Sequence, residues 1–393
     1  MKTYWITVTT EEPLLIGDRH GDGSGALRSQ TWIPGQTLRG AMAADWQHTV
    51  EESWFERAIA GGEIGFSPLF AVASMPKTGD IWGQIPATAA SCKRFSGFGK
   101  SGHGVLDRLL QRETWPVEKP LTMDPNKGSS ALDCAVCGSP LEKFRGFVHM
   151  HRTGDPEQID LADRLITRTA VDDQIDSVVD GRLYSLKPLN EEHHFAGIIQ
   201  MPDDLDDADL LAVERLRLGK ARSRGLGRVA VSIQRQESPF AGPLEKRVRN
   251  FQKLLRDNGA SPPGDETWVT LDLWSPLLLQ DDLLRDRLCL KRVDFLPHGA
   301  NLTWAVEPIA LEAVWSGGWH GLLNLPRTHR QALAPGGVLA LQIRGNPTDA
   351  LAAMTSIETF GLGEGWADGF GRVLFCHPFH QQFTSKEVVH ACI

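Results

Sequence analysis

Cys134-Ala135-Val136-Cys137-Gly138 sets two thiols two residues apart. That spacing lets both thiolates bind one tetrahedral Zn²⁺, and the glycine relieves the tight turn behind them. One such pair is half a site. Cys92 is the remaining cysteine nearby, which leaves a histidine for the fourth position: His103, His149 or His151. His103, in Gly102-His103-Gly104, is favoured, because Cys92 and His103 then form an upstream pair matching Cys134 and Cys137 downstream. Four protein ligands close the site, so the zinc expected here is structural, with no open position for catalysis. The competing readings are thiols without metal and a redox pair. A redox pair belongs at a helix start after a strand, whereas this one sits in a glycine- and proline-rich stretch.

A second chemistry lies in the loop from Arg215 to Arg228. Arg215, Arg217, Lys220, Arg222, Arg224 and Arg228 fall there with no acid among them after Glu214, interleaved with Gly219, Gly225 and Gly227. Glycines permit positive φ and close backbone approach, and basic side chains with exposed amides suit a phosphate backbone. The bland alternative is a solvated hairpin. Neither a dinucleotide fingerprint nor a P-loop has this glycine spacing. The string Gly-x-Gly-Arg-Val recurs at Gly369-Phe370-Gly371-Arg372-Val373, where the loop carries Glu364 and Asp368, so the two copies differ in charge.

The elements around the two copies run in one order, strand, helix, glycine loop, strand, the mark of a duplicated unit. In the first copy the strand is His194 to Ile199 and the helix Asp206 to Leu218; in the second they are Gly337 to Ile343 and Thr348 to Phe360. Each half also opens on an alternating strand, Thr3 to Thr9 and Thr267 to Trp274. A helix is expected from about Leu38 to His48, with Pro34 and Gly35 at its entry and Thr37 as its cap. The expected fold is α+β: two βαββαβ (ferredoxin-like, RRM-like) domains in tandem, residues 1–235 and 267–393. Residues 76–157 form an insertion in the first that carries the zinc knuckle, and 236–266 form a mixed-charge linker with a helix from Leu244 to Asp257.

At 393 residues the chain is long enough for two domains. Its net charge of −8 argues against a general nucleic-acid coat and permits a specific binder whose positive charge is local. Six cysteines in this length make no disulfide scaffold. No apolar run reaches a membrane span, and the start lacks a signal peptide's apolar core, so a cytoplasmic location is expected.

Three segments resemble the CRISPR-associated RAMP superfamily: Ile33-Pro34-Gly35-Gln36-Thr37-Leu38-Arg39-Gly40, Gly219-Lys220-Ala221-Arg222-Ser223-Arg224-Gly225-Leu226-Gly227, and the loop at Gly369 and Gly371. The cysteine-bearing insertion and the length are most similar to the two-domain RAMP subunit of type III-D effector complexes. The resemblance implies paired RRM-like folds and a subunit that holds the 5′ repeat-derived tag of CRISPR RNA at one end of the complex. It implies as partners the large polymerase-like subunit and the backbone RAMP subunits, with target RNA met only indirectly, in a prokaryotic cytoplasm. The RNA-binding residues then expected are Gly35 and Arg39, the stretch Gly219, Lys220, Arg222, Ser223, Arg224, Gly225, Gly227 and Arg228, and Gly369, Gly371 and Arg372.

Processing enzymes of that superfamily use a histidine near the first helix as general base, which would fall to His20 or His48. Backbone subunits cut target RNA with a loop aspartate, which would fall to Asp18 or Asp22. His20 has no tyrosine or lysine partner in view, aspartates beside glycine form turns, and no acid cluster suits two metals. The expectation is therefore a subunit without catalytic residues. A third reading is a protein-docking scaffold, resting on the negative charge and on Trp304, Trp315 and Trp319 around Gly317-Gly318.

Overall fold

A strand that alternates Tyr4, Ile6 and Val8 against Trp5 and Thr7 needs cover on both faces, since all five are buried. In the computed structural model, which describes residues 1–17, 26–99, 102–111, 133–152, 155–172, 177–236, 240–260, 262–320 and 325–383, both covers are found. The labelled elements are β1 (Lys2–Thr10), α1 (Gly35–Trp46), β2 (Phe70–Val72), β3 (His194–Met201), α2 (Ala208–Leu211) and β4 (Arg228–Gln236). β1 pairs antiparallel with β3, Lys2 opposite Met201, and with β4, Thr3 opposite Gln236. β2 pairs with the far side of β3. The order β4-β1-β3-β2, all antiparallel, is that of a split βαβ unit. One face packs on α1 through Leu38, Met42 and Trp46. The other is covered by the insertion: the Trp82 ring stands edge-on to Trp5, centroids 5.1 Å apart, and its Nε1 donates to the Ala196 carbonyl at 2.9 Å.

Two local expectations fail here. The helix expected from Asp206 to Leu218 ends at Leu211, and Arg215–Arg217 form an edge strand on β4. Leu216 is buried between two exposed arginines, a period of two that outweighs helix propensity. Helix α1 begins at Gly35 rather than Leu38. Pro34 stands before it, and Thr37 lies inside and caps nothing.

The second half comprises α3 (Leu244–Asp257), β5 (Glu266–Leu273), β6 (Thr303–Ala310), β7 (Val338–Arg344), α4 (Pro347–Phe360), β8 (Val373–Phe375) and α5 (Pro378–Gln382). Its order, β8-β5-β7-β6, repeats the first. Helix α4 starts where Asn346 accepts from the Thr348 N–H and Pro347 fills the first turn. No α-helix joins β5 to β6; the connection holds a one-turn 3₁₀ helix, Arg292–Phe295. Leu277 instead runs as an extended bridge to Leu333, and Asp281 closes a turn on the N–H groups of Leu283 and Arg285. Helix α3 lies against this sheet and buries Phe251 and Leu255, and its buried Arg247 forms a bidentate pair with Glu358 of α4 at 2.7 and 3.0 Å. The segment read as a linker is thus largely a layer of the second half.

Residues 73–193 separate β2 from β3, and their described residues form three small sheets, one of them completed by Ala26–Arg28. Among the described residues no helix is long and apolar enough to cross a membrane. One of the small sheets, Ala89–Cys92 with Val105–Asp107 and Leu141–Lys143, docks on the second half. There the fully buried His380 of α5 sits between two carboxylates, Nδ1 to Asp107 at 2.6 Å and Nε2 to Asp272 at 2.8 Å. Burial alone would lower the His380 pKa, but Asp272 and Asp107 reverse that and raise it to about 10. The stabilisation this gives is full below an unfolded value of roughly 6.5 and fades as pH rises to about 10. Replacing His380 leaves two buried carboxylates facing each other, a loss on the order of 3–5 kcal/mol. His380→Gln should lower stability by about that much at pH 6 in denaturant titrations, with a much smaller deficit at pH 10. An equal deficit at both values would remove the charge from the account.

Candidate nucleic-acid interface and metal centre

The two glycine loops share one backbone path. In the first, Leu218 N–H donates to the Gly227 carbonyl, Lys220 N–H to Leu15 and Gly227 N–H to Pro13; in the second, Leu362 donates to Gly371, Glu364 to Leu278 and Gly371 to Pro276. Each holds a one-turn 3₁₀ helix, Arg222–Arg224 and Trp366–Asp368, flanked on both sides by left-handed residues. Two glycines in each loop are fixed by contact. A Cβ on Gly219 would lie 2.3 Å from the Leu15 carbonyl, and one on Gly363 2.2 Å from that of Leu278. At Gly227 and Gly371 the corresponding distances, to Leu218 and Leu362, are 2.1 and 1.9 Å.

What the loops present differs. Lys220, Arg222, Ser223, Arg224 and Gly225 are exposed. Arg215, Arg217 and Arg228 reach Glu11 and Glu12 at 3.1–3.6 Å, so part of the expected charge is already paired by the acids that follow β1. Arg224 donates to the Tyr184 hydroxyl at 2.9 Å. Among the described residues no acid pairs with Lys220 or Arg222. In the second loop the corresponding surface is turned inward. A Cβ on Gly369 would lie 2.3 Å from the Phe66 carbonyl and 3.2 Å from the Gly35 Cα. Arg372 is buried, its guanidinium 4.8 Å over the Trp366 ring, with Nε and Nη2 unbonded among the described residues. Burial lowers its pKa to about 9. Gly369, Gly371 and Arg372, expected to touch RNA, therefore lie inside the protein and form the joint between the halves. Gly35 belongs to that joint rather than to the side of Gly219.

A cleft of about 1170 Å³ opens where the halves meet. One wall is the outward side of α1, with Gln36, Arg39 and Gly40. A second is the turn from Gly219 to Arg222, and the third is a hairpin of the second half with Trp315, Trp319 and Arg327. Trp315 and Trp319 are 51% and 53% exposed, whereas Trp304 is core and stacks on Phe295. Asp368 at the floor accepts from Arg39 at 2.7 Å and from Arg327 at 3.1 Å. The volume exceeds the roughly 300–1,000 Å³ usual for small-molecule sites. Cations beside exposed indole faces are the means by which a single strand is held. Arg327 carries no signal in sequence, and Gln36 and Gly40, though inside the segment Ile33 to Gly40, do not stand out as site residues there, because the wall they complete is assembled from both halves. His20, Asp18 and Asp22 lie outside the described residues. His48 is exposed past the end of α1 and does not line the cleft.

The cysteine constellation is local. Cys92 ends its strand, Cys134 and Cys137 flank a turn in which Gly138 N–H donates to the Cys134 carbonyl, and His103 closes the group. Cys92 Sγ lies 3.5 Å from Cys137 Sγ, and Cys134 Sγ 3.5 Å from His103 Nδ1, with all four donor atoms within 4.8 Å of one another. Bonds of about 2.3 Å to sulfur give a tetrahedral edge near 3.8 Å, so a small closure around a metal suffices. Hydrogen bonds from Ser139, and smaller contributions from Cys92 and His103, bring the exposed Cys137 thiol to about 6 against the opposing pull of desolvation. His149 lies on another sheet and His151 just beyond its strand.

No protein-family model matches the sequence, and no curated protein matches it. Among solved structures it is similar to a chain of the type III-B Cmr-beta complex bound to cognate target RNA and AMPPnP, at 11% identity and a TM-score of 0.43 over 86% of each chain. It is also similar to the CRISPR-associated protein Cas6, at 9% identity and 0.35 over 95% of this chain and 98% of that one. Oligomeric Cmr4 from Pyrococcus furiosus matches at 12% identity and 0.26 over 60% of this chain and 99% of its own. These neighbours are CRISPR-associated RAMP-like proteins. At such identities and scores the likeness carries over neither a site nor a reaction.

Structural zinc is worth on the order of 10–16 kcal/mol of apparent binding energy. Cys134→Ser should lower bound zinc by one equivalent per chain in elemental analysis, and should open the small sheet around Cys92 to proteolysis while the two main sheets persist. Unchanged zinc in that variant would sink the assignment.

Proposed function

We propose that this chain is a non-catalytic, RNA-binding subunit of a type III CRISPR effector complex, most like the two-domain RAMP subunit of type III-D. In this reading two tandem ferredoxin-like units, the second with its first helix replaced by a loop, place a cleft that holds the 5′ repeat-derived tag of CRISPR RNA. A structural zinc stiffens the insertion. The subunit caps one end of the complex in a prokaryotic cytoplasm, beside the large polymerase-like subunit and the backbone RAMP subunits, and meets target RNA only indirectly.

One observation carries the reading: the cleft joins Lys220 and Arg222 of the first glycine loop, which pair with no acid among the described residues, to exposed tryptophans of the second half. Phosphates would lie along Lys220, Arg222 and Arg39, and bases on Trp315 and Trp319, where stacking is worth about 1–3 kcal/mol per base. The inward-turned second loop then serves as the support. Its Asp368 holds Arg39 and Arg327 in place from below.

Two measurements test this. Binding of a repeat-derived RNA, followed across a salt series, should weaken in Arg222→Ala, with the log–log slope falling by about 0.7 for the lost phosphate contact. Gly40 faces the cleft with open space where a Cβ would stand, so Gly40→Trp should block binding while leaving thermal stability unchanged. Wild-type affinity in both variants returns the loop to a solvated hairpin. Second, incubation with repeat RNA and with target RNA, with and without Mg²⁺, should leave both intact. Cleavage lost in His20→Ala would make the protein a processing enzyme, and metal-dependent cleavage lost in Asp18→Ala or Asp22→Ala a target-cutting subunit.

A further inference from the structure

His149 and His151 lie away from the cysteine site, in a cluster with Asp80. Strand Phe147–Met150 lies between Ile81–Gln84 and Glu157–Ile159 in a three-stranded sheet of the insertion. Trp82 stands opposite His149 and Ile81 opposite Met150. That register brings Asp80, just before its strand, alongside His151, just after its own. Asp80 Oδ2 lies 3.2 Å from His149 Nε2 and 3.7 Å from His151 Nδ1. The three donor atoms fall within 4.8 Å of one another.

From this geometry we infer a second metal site, separate from the cysteines, in which Asp80, His149 and His151 bind one divalent first-row transition metal through a carboxylate oxygen and two imidazole nitrogens.

Four features support it. Ligand bonds of about 2.0–2.2 Å put tetrahedral edges at roughly 3.3–3.6 Å, close to the separations here. The carboxylate is aimed: Oδ2 accepts from the Lys77 N–H at 2.8 Å and Oδ1 from the Arg152 N–H at 2.9 Å. His151 turns Nδ1 to Asp80 and Nε2 to Glu157 at 3.5 Å, so its far nitrogen meets a carboxylate that fixes the ring, as outer partners of metal-bound histidines do. Finally, a hydrogen-bonded staple needs only one histidine. Here two rings lie 4.2 Å apart on a single carboxylate.

Asp80 and His149 are sealed, whereas His151 is 24% exposed and Glu157 56%. Metal therefore enters from the Glu157 side. Three protein ligands leave a fourth position there for water, unlike the closed cysteine set.

The test uses the full chain, stripped with chelator, loaded with Co²⁺ and desalted. Two equivalents should be retained per chain, of which only one brings thiolate-to-cobalt charge-transfer absorption. His151→Ala, at a partly open position, should retain one equivalent with the thiolate band intact. Glu157→Gln, on the surface, should weaken the thiolate-free equivalent about 10–100-fold. A wild-type protein that retains one equivalent, carrying the thiolate band, overturns the inference, as does a His151→Ala protein that retains two. A single wild-type equivalent without that band upholds this site and overturns the cysteine one.

Discussion

The two halves meet where Gly35, the first residue of α1, lies against the loop that ends in Gly369, and the space between them admits no side chain. A Cβ on Gly35 would stand 2.1 Å from the Phe66 carbonyl, 2.6 Å from that of Asp368 and 3.0 Å from the Gly369 Cα. Backbone packed on backbone fixes a distance that side-chain repacking cannot absorb, since interiors yield little to added volume. Several features depend on it. It sets Asp368 beneath Arg39, aims α1 along the cleft and brings the tryptophan hairpin of the second half over the cation turn of the first.

Further joints surround that contact and use charge rather than shape. Arg39 and Arg327 share Asp368 at the cleft floor, and His380 links the insertion to the second sheet through Asp107 and Asp272. Buried ionic groups contribute little net stability, but separating them is costly, so they favour one arrangement over near alternatives. The His380 cluster has a further consequence. Asp107 lies on the strand paired with Ala89–Cys92, so the sheet carrying Cys92 is tied to the second half as well as to its own. Loosening the cysteine site would thus be felt at the interface between halves.

Much of this was legible in sequence because it is local or repeated. Alternation gave the opening strands of both halves, and helix α3 spans Leu244 to Asp257 as its pattern predicts. The cysteine group could be assembled from spacing, since Cys134 and Cys137 share a turn and Cys92 and His103 share a lobe. What could not be read depends on contacts distant in the chain. Arg228 and Arg372 occupy the same place in the repeated string, yet Arg228 reaches Glu11 and Glu12 at the surface while Arg372 is buried over Trp366. The string cannot report which neighbour lies over it. Arg215 to Arg217 lost its helix for a related reason: pairing with β4 rewards a period of two that a single segment shows only faintly. The lack of an α-helix between β5 and β6 has no counterpart in the repeated string, which marks the end of each unit and not its middle.

The divergence of the two loops follows from what each faces. Their backbones are held by equivalent hydrogen bonds, from Gly227 to Pro13 and from Gly371 to Pro276, so both copies were free to change side chains without changing path. The first copy ends at solvent, where cations cost little and Lys220 and Arg222 are exposed. The second ends against α1, and there each charge has been given a partner or a ring: Glu364 pairs with Arg330, Asp368 with Arg39 and Arg327, and Arg372 covers Trp366. A buried guanidinium with unbonded nitrogens is expensive, and the ring beneath it returns part of that cost through cation–π attraction. One backbone path thus carries exposed charge in one copy and charge turned inward in the other, where Asp368 and the loop around it join the two halves.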